Sequence, residues 1–395
     1  MLVQRLLKRH TRPGHVVRDV ILLSHGFTSE YEIAFANGLA RNGVDVLLIG
    51  SDKTLTDRAA PGVKILNLRG AQSHNRPAAA KVYNMLRYMV EYLTLLARRR
   101  GQPVHVIGMF STFKTPITLI EAWLTRLVAG RYVLTVHNLL PHDQHTRLNR
   151  IAYWWVYRAP RVLMVHTKRM ARELQSRFGV PQSRILVVEH GFDQIIYHDP
   201  VARAAWRAGN GVAEDAAVVL FFGQVAPYKG LNLLLRAFAR IGADPSRHLV
   251  IAGMCLDAKL RNDLESAIHS HPHAARIHWV DGFIPDSEVP SLIHAADCLA
   301  MPYRYIDQSG VLLLAMSSGL PVVATDVGSI AEYLSPGTGE VVPAGDIEAF
   351  ASALDRVVSR RGGPWRNSLI ATRFEWRWTV KPLVSAYRQL WTERS

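Results

Sequence analysis

"VRDVILLSHGFTSEYEIAFANGLARNGVDVLLIG", residues 17–50, passes from an apolar run through a polar turn into helical spacing and back to an apolar run. "VRDVILLSHG" (17–26) has the length of a buried strand ending in a turn. "EYEIAFANGLARNG" (30–43) spaces its apolar residues as an amphipathic helix closed by Gly43, and "VDVLLIG" (44–50) is the next strand. This is a βαβ unit. The order recurs in "VHVIGMF" (104–110), "YVLTVHN" (132–138) and "RVLMVHT" (161–167), each an apolar run of strand length that breaks at a polar residue. Such alternation predicts a parallel sheet with helices on both faces.

The pattern lapses in "YHDPVARAAWRAGNGVAEDA" (197–216), a polar stretch carrying Pro200, Gly209 and Gly211 that reads as an interdomain linker. A second series follows: "VVLFFG" (218–223), "LNLLLRAFARIG" (231–242), "HLVIAGMC" (248–255), "RIHWVDGF" (276–283), "SLIHAADCLAMPY" (291–303) and "LPVVATDVG" (320–328). The expectation is an α/β protein of two doubly wound, Rossmann-like domains facing across a cleft, with ligands at the carboxyl ends of the strands. The domains are placed at 1–200 and 201–375, and 376–395 is a C-terminal helix crossing back to the first.

At 395 residues and 49% hydrophobic, the chain can bury two cores. Cys255 and Cys298 sit in apolar runs and read as small buried hydrophobes in a reducing compartment, not as a disulfide framework. The basic start "MLVQRLLKRHTRPGH" lacks the apolar run of a secretory signal, and no uncharged apolar stretch is long enough to span a bilayer. The net charge of +15 is uneven. Residues 1–200 hold 28 lysines and arginines against 13 aspartates and glutamates, whereas residues 201–395 hold 19 of each. The first half therefore faces something anionic: a leaflet, a phosphorylated lipid or nucleic acid.

Two loops of the second half suit phosphate. "DQSG" (307–310) leads into the helix "VLLLAMSSG", whose unpaired N–H groups and dipole favour an anion. In "FFGQVAPYKG" (221–230), a glycine turn at Gly223 precedes Lys229 and Gly230, so an ammonium group and a backbone turn approach the same ligand. Together they point to a diphosphate, as in a nucleotide.

These segments resemble the retaining GT-B glycosyltransferases of family 4, in the order those enzymes show: "FFGQVAPYKGLNLLLRAF", "LVIAGMC", "VDGFIPDSEVPSLIHAADCLAMPY" and "QSGVLLLAMSSGLPVVATDVGSIAEYL". The first half agrees through "LTVHNLLPHD" (134–143) and "VLMVHTKRMARELQSRFGVPQSRILVVEHGFD" (162–193), so the resemblance runs from about residue 20 to 392. It implies a UDP- or GDP-sugar donor held mainly by the second domain, an acceptor held mainly by the first, retention of anomeric configuration, and neither metal nor cofactor. Lys229 corresponds to the lysine on the donor diphosphate; Gln308, Ser309 and Gly310 belong to the loop whose amides approach the distal phosphate. Gly223 and Gln224 form the turn beside it, Gly282 and Phe283 open the nucleobase pocket, and His137 lies close to the donor sugar.

Departures from the pattern are specific. Gln224 stands where the family commonly has arginine, and the family's paired glutamates, eight positions apart, fall at Ile306 and Leu314. Asp307 is the nearest carboxylate and reads either as an acceptor for a sugar hydroxyl or as a helix N-cap. His137, if neutral, hydrogen-bonds a sugar hydroxyl; as imidazolium it acts on the sugar's developing charge.

"KVYNMLRYMVEYLTLLARRR" (81–100) exceeds one apolar stripe and ends in Arg98, Arg99 and Arg100. It reads as a helix docked on the sheet or, more sharply, as one lying on an anionic leaflet. Trp154 and Trp155 raise the same choice between packing and a membrane interface. The expected function is transfer of a sugar to a lipid-linked saccharide in the biosynthesis of an exopolysaccharide or similar glycan, by a cytoplasmic protein peripheral to the inner face of the plasma membrane. The alternatives are a catalytically silent nucleotide-sugar scaffold and a sugar-nucleotide epimerase. No recognition motif for nucleic acid is present. The histidines of "HSHPH" (269–273) lack metal-site spacing.

Overall fold

A computed structural model of the protein describes residues 19–25, 29–71, 77–109, 115–140, 146–193, 196, 199–306, 309–334, 337–360 and 372–392. The chain divides into two units: residues up to Asp193 together with Trp376 onward, and Gln194–Glu375.

The first unit alternates β1 (Asp19–Leu23), α1 (Ser29–Ala40), β2 (Asp45–Gly50), β3 (Val63–Asn67), α2 (Ala78–Arg98), β4 (Val104–Val106), α3 (Thr115–Ala129), β5 (Tyr132–Thr135), α4 (Arg147–Val156), β6 (Val162–Val165), α5 (Lys168–Phe178) and β7 (Ile185–Val187). The seven strands are parallel in the order β3-β2-β1-β4-β5-β6-β7, so the winding direction reverses between β1 and β4. Valine, isoleucine and leucine fill these runs because both faces of a parallel sheet are covered. Caps fix the helix starts. Thr146 accepts from the Asn149 amide at 3.2 Å, Thr167 accepts from Met170 at 3.1 Å, and Gly179, with φ 63°, closes α5.

In the second unit the order is α6 (Pro200–Gly209), β8 (Ala217–Phe222), α7 (Leu231–Ile241), β9 (Arg247–Ala252), α8 (Ala258–His269), β10 (Ile277–Val280), α9 (Val289–Ala295), β11 (Cys298–Met301), α10 (Gly310–Ser317), β12 (Val322–Thr325), α11 (Ile330–Tyr333), β13 (Gly339–Val342) and α12 (Ile347–Ser359). Its six parallel strands run β10-β9-β8-β11-β12-β13, with the reversal between β8 and β11. Two doubly wound α/β units are therefore present, as the alternation predicts.

Half of the stretch read as a linker is instead α6. Asp199 caps it by accepting from Val201 and Ala202, and Pro200 opens it. Arg207 on this helix is buried, donating to the carbonyls of Ala213, Glu214, Ala216 and Ala295 and pairing with Asp297 at 2.8 Å. A polar composition conceals this because the helix docks through a fully satisfied guanidinium rather than an apolar stripe.

The chain then returns to the first unit through α13 (Trp376–Thr379) and α14 (Lys381–Thr392). Trp376 presses against α1 at Gly38, where a β-carbon would stand 2.6 Å from that of the tryptophan. Val380, Leu383 and Tyr387 join Phe35, Leu39 and Val46 in the core on this side of the sheet, whereas α2 to α5 pack on the opposite side. Tyr387 also bonds the buried His105 of β4.

Candidate functional site

In an open parallel sheet the strand order reverses at a crevice outside the carboxyl ends, where loops diverge to either face. In the second unit this point lies between Gly223, after β8, and Tyr303, after β11. Lys229 ends the short 3₁₀ turn Pro227–Lys229 and is only 6% exposed. Its position follows from two glycines. Gly230 has φ 67°, and a β-carbon there would run into the Pro302 carbonyl, so only glycine closes the turn. A β-carbon on Gly223 (φ 97°) would stand 2.9 Å from Lys229 Nζ and 3.3 Å from Val311 Cγ2. The ammonium, the glycine turn and the first turn of α10 thus converge.

The electrostatics of this convergence are unbalanced. Burial lowers the Lys229 ammonium from its usual 10.5 to about 8. Its Nζ lies over the Tyr303 ring, 5.5 Å from the centroid. Burial raises the Tyr303 phenol, and its hydrogen bond with Ser309 opposes the rise. Ser309 in turn caps α10, accepting from the Leu312 amide at 3.3 Å. Among the described residues beyond its chain neighbours, nothing lies within 4 Å of where a β-carbon on Gly310 would be. A partly desolvated cation and open helix amides suit an anion with several oxygens.

Other expected residues occupy the same end of the sheet. Gln224 is exposed beside Gly223. Gly282, with φ 143°, and Phe283, 75% exposed, follow β10. Asp307 and Gln308 lie outside the described residues. Ile306 and Leu314, at the positions of the family's glutamates, are half-buried and apolar. Arg304 escaped the sequence reading: its amide donates to the Tyr228 carbonyl at 2.7 Å, and its guanidinium reaches Asn232 at 3.3 Å, putting a second cation next to the lysine loop.

In the first unit the reversal lies between β1 and β4. His137, after β5, donates from Nε2 to the carbonyl of Ile107, after β4, at 2.7 Å, which leaves Nδ1 as the acceptor. Burial lowers its basicity and the bond to Ile107 opposes this, so the ring is neutral at neutral pH. His166 and His190 stand beside it, with ring centroids 5.5 Å apart for His137 and His166 and 4.9 Å for His166 and His190. Tyr31 lies 3.0 Å from His166 Nε2, and burial pushes His190 down to about 3. His25, after β1, is the one non-glycine described residue with a left-handed φ (59°) and contacts Tyr88 and Glu121. Their signal was in the sequence: "VILLSH", "VLTVH", "VLMVH" and "LVVEH" each end an apolar run in histidine.

The remaining candidates take structural roles or lie apart. His271 and His273 bond the Leu235 and Ala239 carbonyls, which accounts for "HSHPH". Arg98 and Arg100 are exposed and Arg99 half-buried, at the end of α2.

Residues 202–375 match the family described as "Glycosyl transferases group 1", and residues 30–194 match "Glycosyltransferase Family 4". The chain is 30% identical over 398 residues to the D-inositol 3-phosphate glycosyltransferase of Mycobacterium bovis (strain BCG / Pasteur 1173P2), covering 92% of this chain and 79% of that protein. It is 34% identical over 236 residues to a protein of the same name from Geodermatophilus obscurus, covering 57% of this chain and 52%, about half, of that relative. Among solved structures, Anabaena Alr3699/HepE in complex with UDP matches with a TM-score of 0.72 at 16% identity, covering 94% of this chain and 100% of the other. That likeness is one of fold.

Proposed function

Because the chain belongs to the group 1 and family 4 glycosyltransferases of GT-B fold, we propose that it transfers a sugar from a nucleotide-sugar donor, a UDP- or GDP-sugar, with retention of anomeric configuration. The observation that carries this reading is the convergence of Lys229, the Gly223 turn and the first turn of α10 at the switch point of the second sheet. The UDP and UDP-glucose bound in the structural neighbour Anabaena HepE support the donor class.

The chemistry follows from where charge develops. The bond from the sugar's anomeric carbon to the distal phosphate oxygen breaks with its electron pair leaving on the diphosphate. The acceptor oxygen bonds to that carbon from the same face, and its proton passes to the departing phosphate. Lys229 and the amides of Ser309 and Gly310 stabilise the growing negative charge; one such preorganised donor is worth roughly 3–4 kcal/mol. Gln308 belongs to the same loop, with Gln224 and Gly223 beside it, and Gly282 and Phe283 receive the base. Neutral His137 accepts from one sugar hydroxyl at Nδ1 and Asp307 accepts from another, because Ser309 takes the capping role at α10. Protein groups supply this stabilisation, so the reading calls for no metal.

The proposed acceptor is a lipid-linked saccharide in glycan assembly at the inner face of the plasma membrane, supported by the basic first half and the apolar helix faces described below. Among the described residues no helix is long and apolar enough to cross a membrane. A second acceptor class, a soluble polyol phosphate, is favoured by the relatives named for D-inositol 3-phosphate. The deciding experiment incubates the protein with UDP-, GDP- and ADP-sugars plus either membrane lipid extract or inositol 3-phosphate. Labelled lipid with the donor's anomeric configuration is expected. A labelled inositol phosphate selects the second acceptor, an altered free nucleotide sugar indicates an epimerase, and nucleotide binding without turnover leaves only a silent scaffold.

A further inference from the structure

Helix α3 packs on the core through Ala122 and Ala129 yet keeps an apolar stripe on its outer face. Its inward positions also include Thr118, Glu121 and Thr125, all buried, whereas every exposed position among its described side chains is apolar: Pro116, Ile120, Trp123 and Leu127, the last 70% exposed. Neighbouring α4 continues the face with Leu148, Ile151 and Trp155 at spacings of three and four, one stripe of the helix. The Trp123 and Trp155 rings meet at 6.5 Å between centroids, joining the stripes. On its other side, α2 exposes Tyr83, Leu86 and Val90. Contiguous apolar surface of this extent on a soluble domain marks an interaction site.

The rim identifies the occupant. Arg147 and Arg150 lie on α4 beside its apolar stripe, and the Arg158 guanidinium sits 3.0 Å above the Trp154 ring. Among the described residues of α2, α3 and α4 no carboxylate is exposed: Glu121 is buried, and Glu91 is half-buried against Arg87. A second copy meeting this face would bring arginines against arginines. An anionic leaflet supplies both complements, hydrocarbon for the stripes and phosphate for the rim, with tryptophans at the boundary where one end of the ring is apolar and the other wet.

We propose that the outward face of α3 and α4, extended by α2, docks the protein on an anionic bilayer, with Trp123, Leu127, Ile151 and Trp155 entering the acyl boundary and Arg147 and Arg150 contacting lipid phosphates. This deepens the lipid-linked acceptor reading, on which it rests, and moves the centre of contact from Arg98–Arg100 to the tryptophan face. The test is sedimentation of the full chain with phosphatidylcholine vesicles, with and without phosphatidylglycerol, for the wild type, W123S/W155S and R147E/R150E. The wild type is expected to bind anionic vesicles in preference to neutral ones. W123S/W155S is expected to lose about tenfold on both lipids, and R147E/R150E about tenfold on the anionic vesicles alone. Donor hydrolysis, which uses none of these residues, reports folding of the variants. Wild-type vesicle binding by either variant overturns the proposal. So does a change of oligomeric mass in W123S/W155S with vesicle binding intact, which assigns the face to a second copy. A wild type that binds anionic vesicles yet turns over no donor removes the transferase reading and leaves the docking face standing.

Discussion

Replacing Lys229 with methionine separates function from stability, because the two respond in opposite directions. The ammonium is enclosed, and its fall from 10.5 to about 8 expresses the difficulty of keeping it charged. At 1.36 kcal/mol per pH unit, this is a penalty of roughly 3 kcal/mol. The folded value lies below the unfolded one, so the penalty is complete below about pH 8 and fades as the pH rises from there to 10.5. Methionine keeps the apolar stem and removes the charge, so K229M should be more stable than the wild type at pH 7 by up to that amount, with the gap closing at high pH. Turnover should move the other way. Losing one preorganised cation worth roughly 3–4 kcal/mol lowers kcat/KM about a hundred- to thousandfold. Wild-type kcat/KM should also fall above about pH 8 as the ammonium deprotonates, a limb that K229M lacks. Denaturant unfolding at several pH values and nucleotide release measure the two sides. A variant with normal turnover refutes the phosphate role; one that loses both activity and stability shows that Lys229 is already neutralised by a protein partner.

Gly230→Ala forces a left-handed backbone on alanine and drives its β-carbon into the Pro302 carbonyl; a loss of about 2–4 kcal/mol is expected by denaturant unfolding. Arg207→Leu removes one cation from Asp297 and the guanidinium donor from several buried carbonyls and should cost about 3–5 kcal/mol, while Arg203, which also pairs with Asp297, limits the damage. His137→Ala should reduce turnover roughly tenfold or more by removing the Nδ1 acceptor, with His137→Gln recovering part of it; donor binding measured by titration calorimetry should change less than turnover.

Much of the fold was legible because parallel strands, buried on both faces, write themselves as unbroken apolar runs between helical spacings. Which strands flank the reversal was not, and their placement brings Gly223 and Val311 together although they lie far apart in sequence. Helix α6 was misread because Arg207, which faces inward, has the composition of a surface. Helix α3 shows the converse limit. Periodicity identifies an apolar stripe but not which stripe the core takes, and here Thr118, Glu121 and Thr125 turn inward while Trp123 and Leu127 turn out. The strand-end histidines were visible as letters, yet the clustering of His137, His166 and His190 depends on strands β5, β6 and β7 being parallel neighbours in one sheet.

The most direct test is the position of a bound nucleotide diphosphate. Crystals soaked with UDP or GDP should show the distal phosphate within about 3 Å of Lys229 Nζ and of the amides of Ser309 and Gly310. A diphosphate bound elsewhere on the second unit, or side chains filling the space above Gly310, contradicts the account.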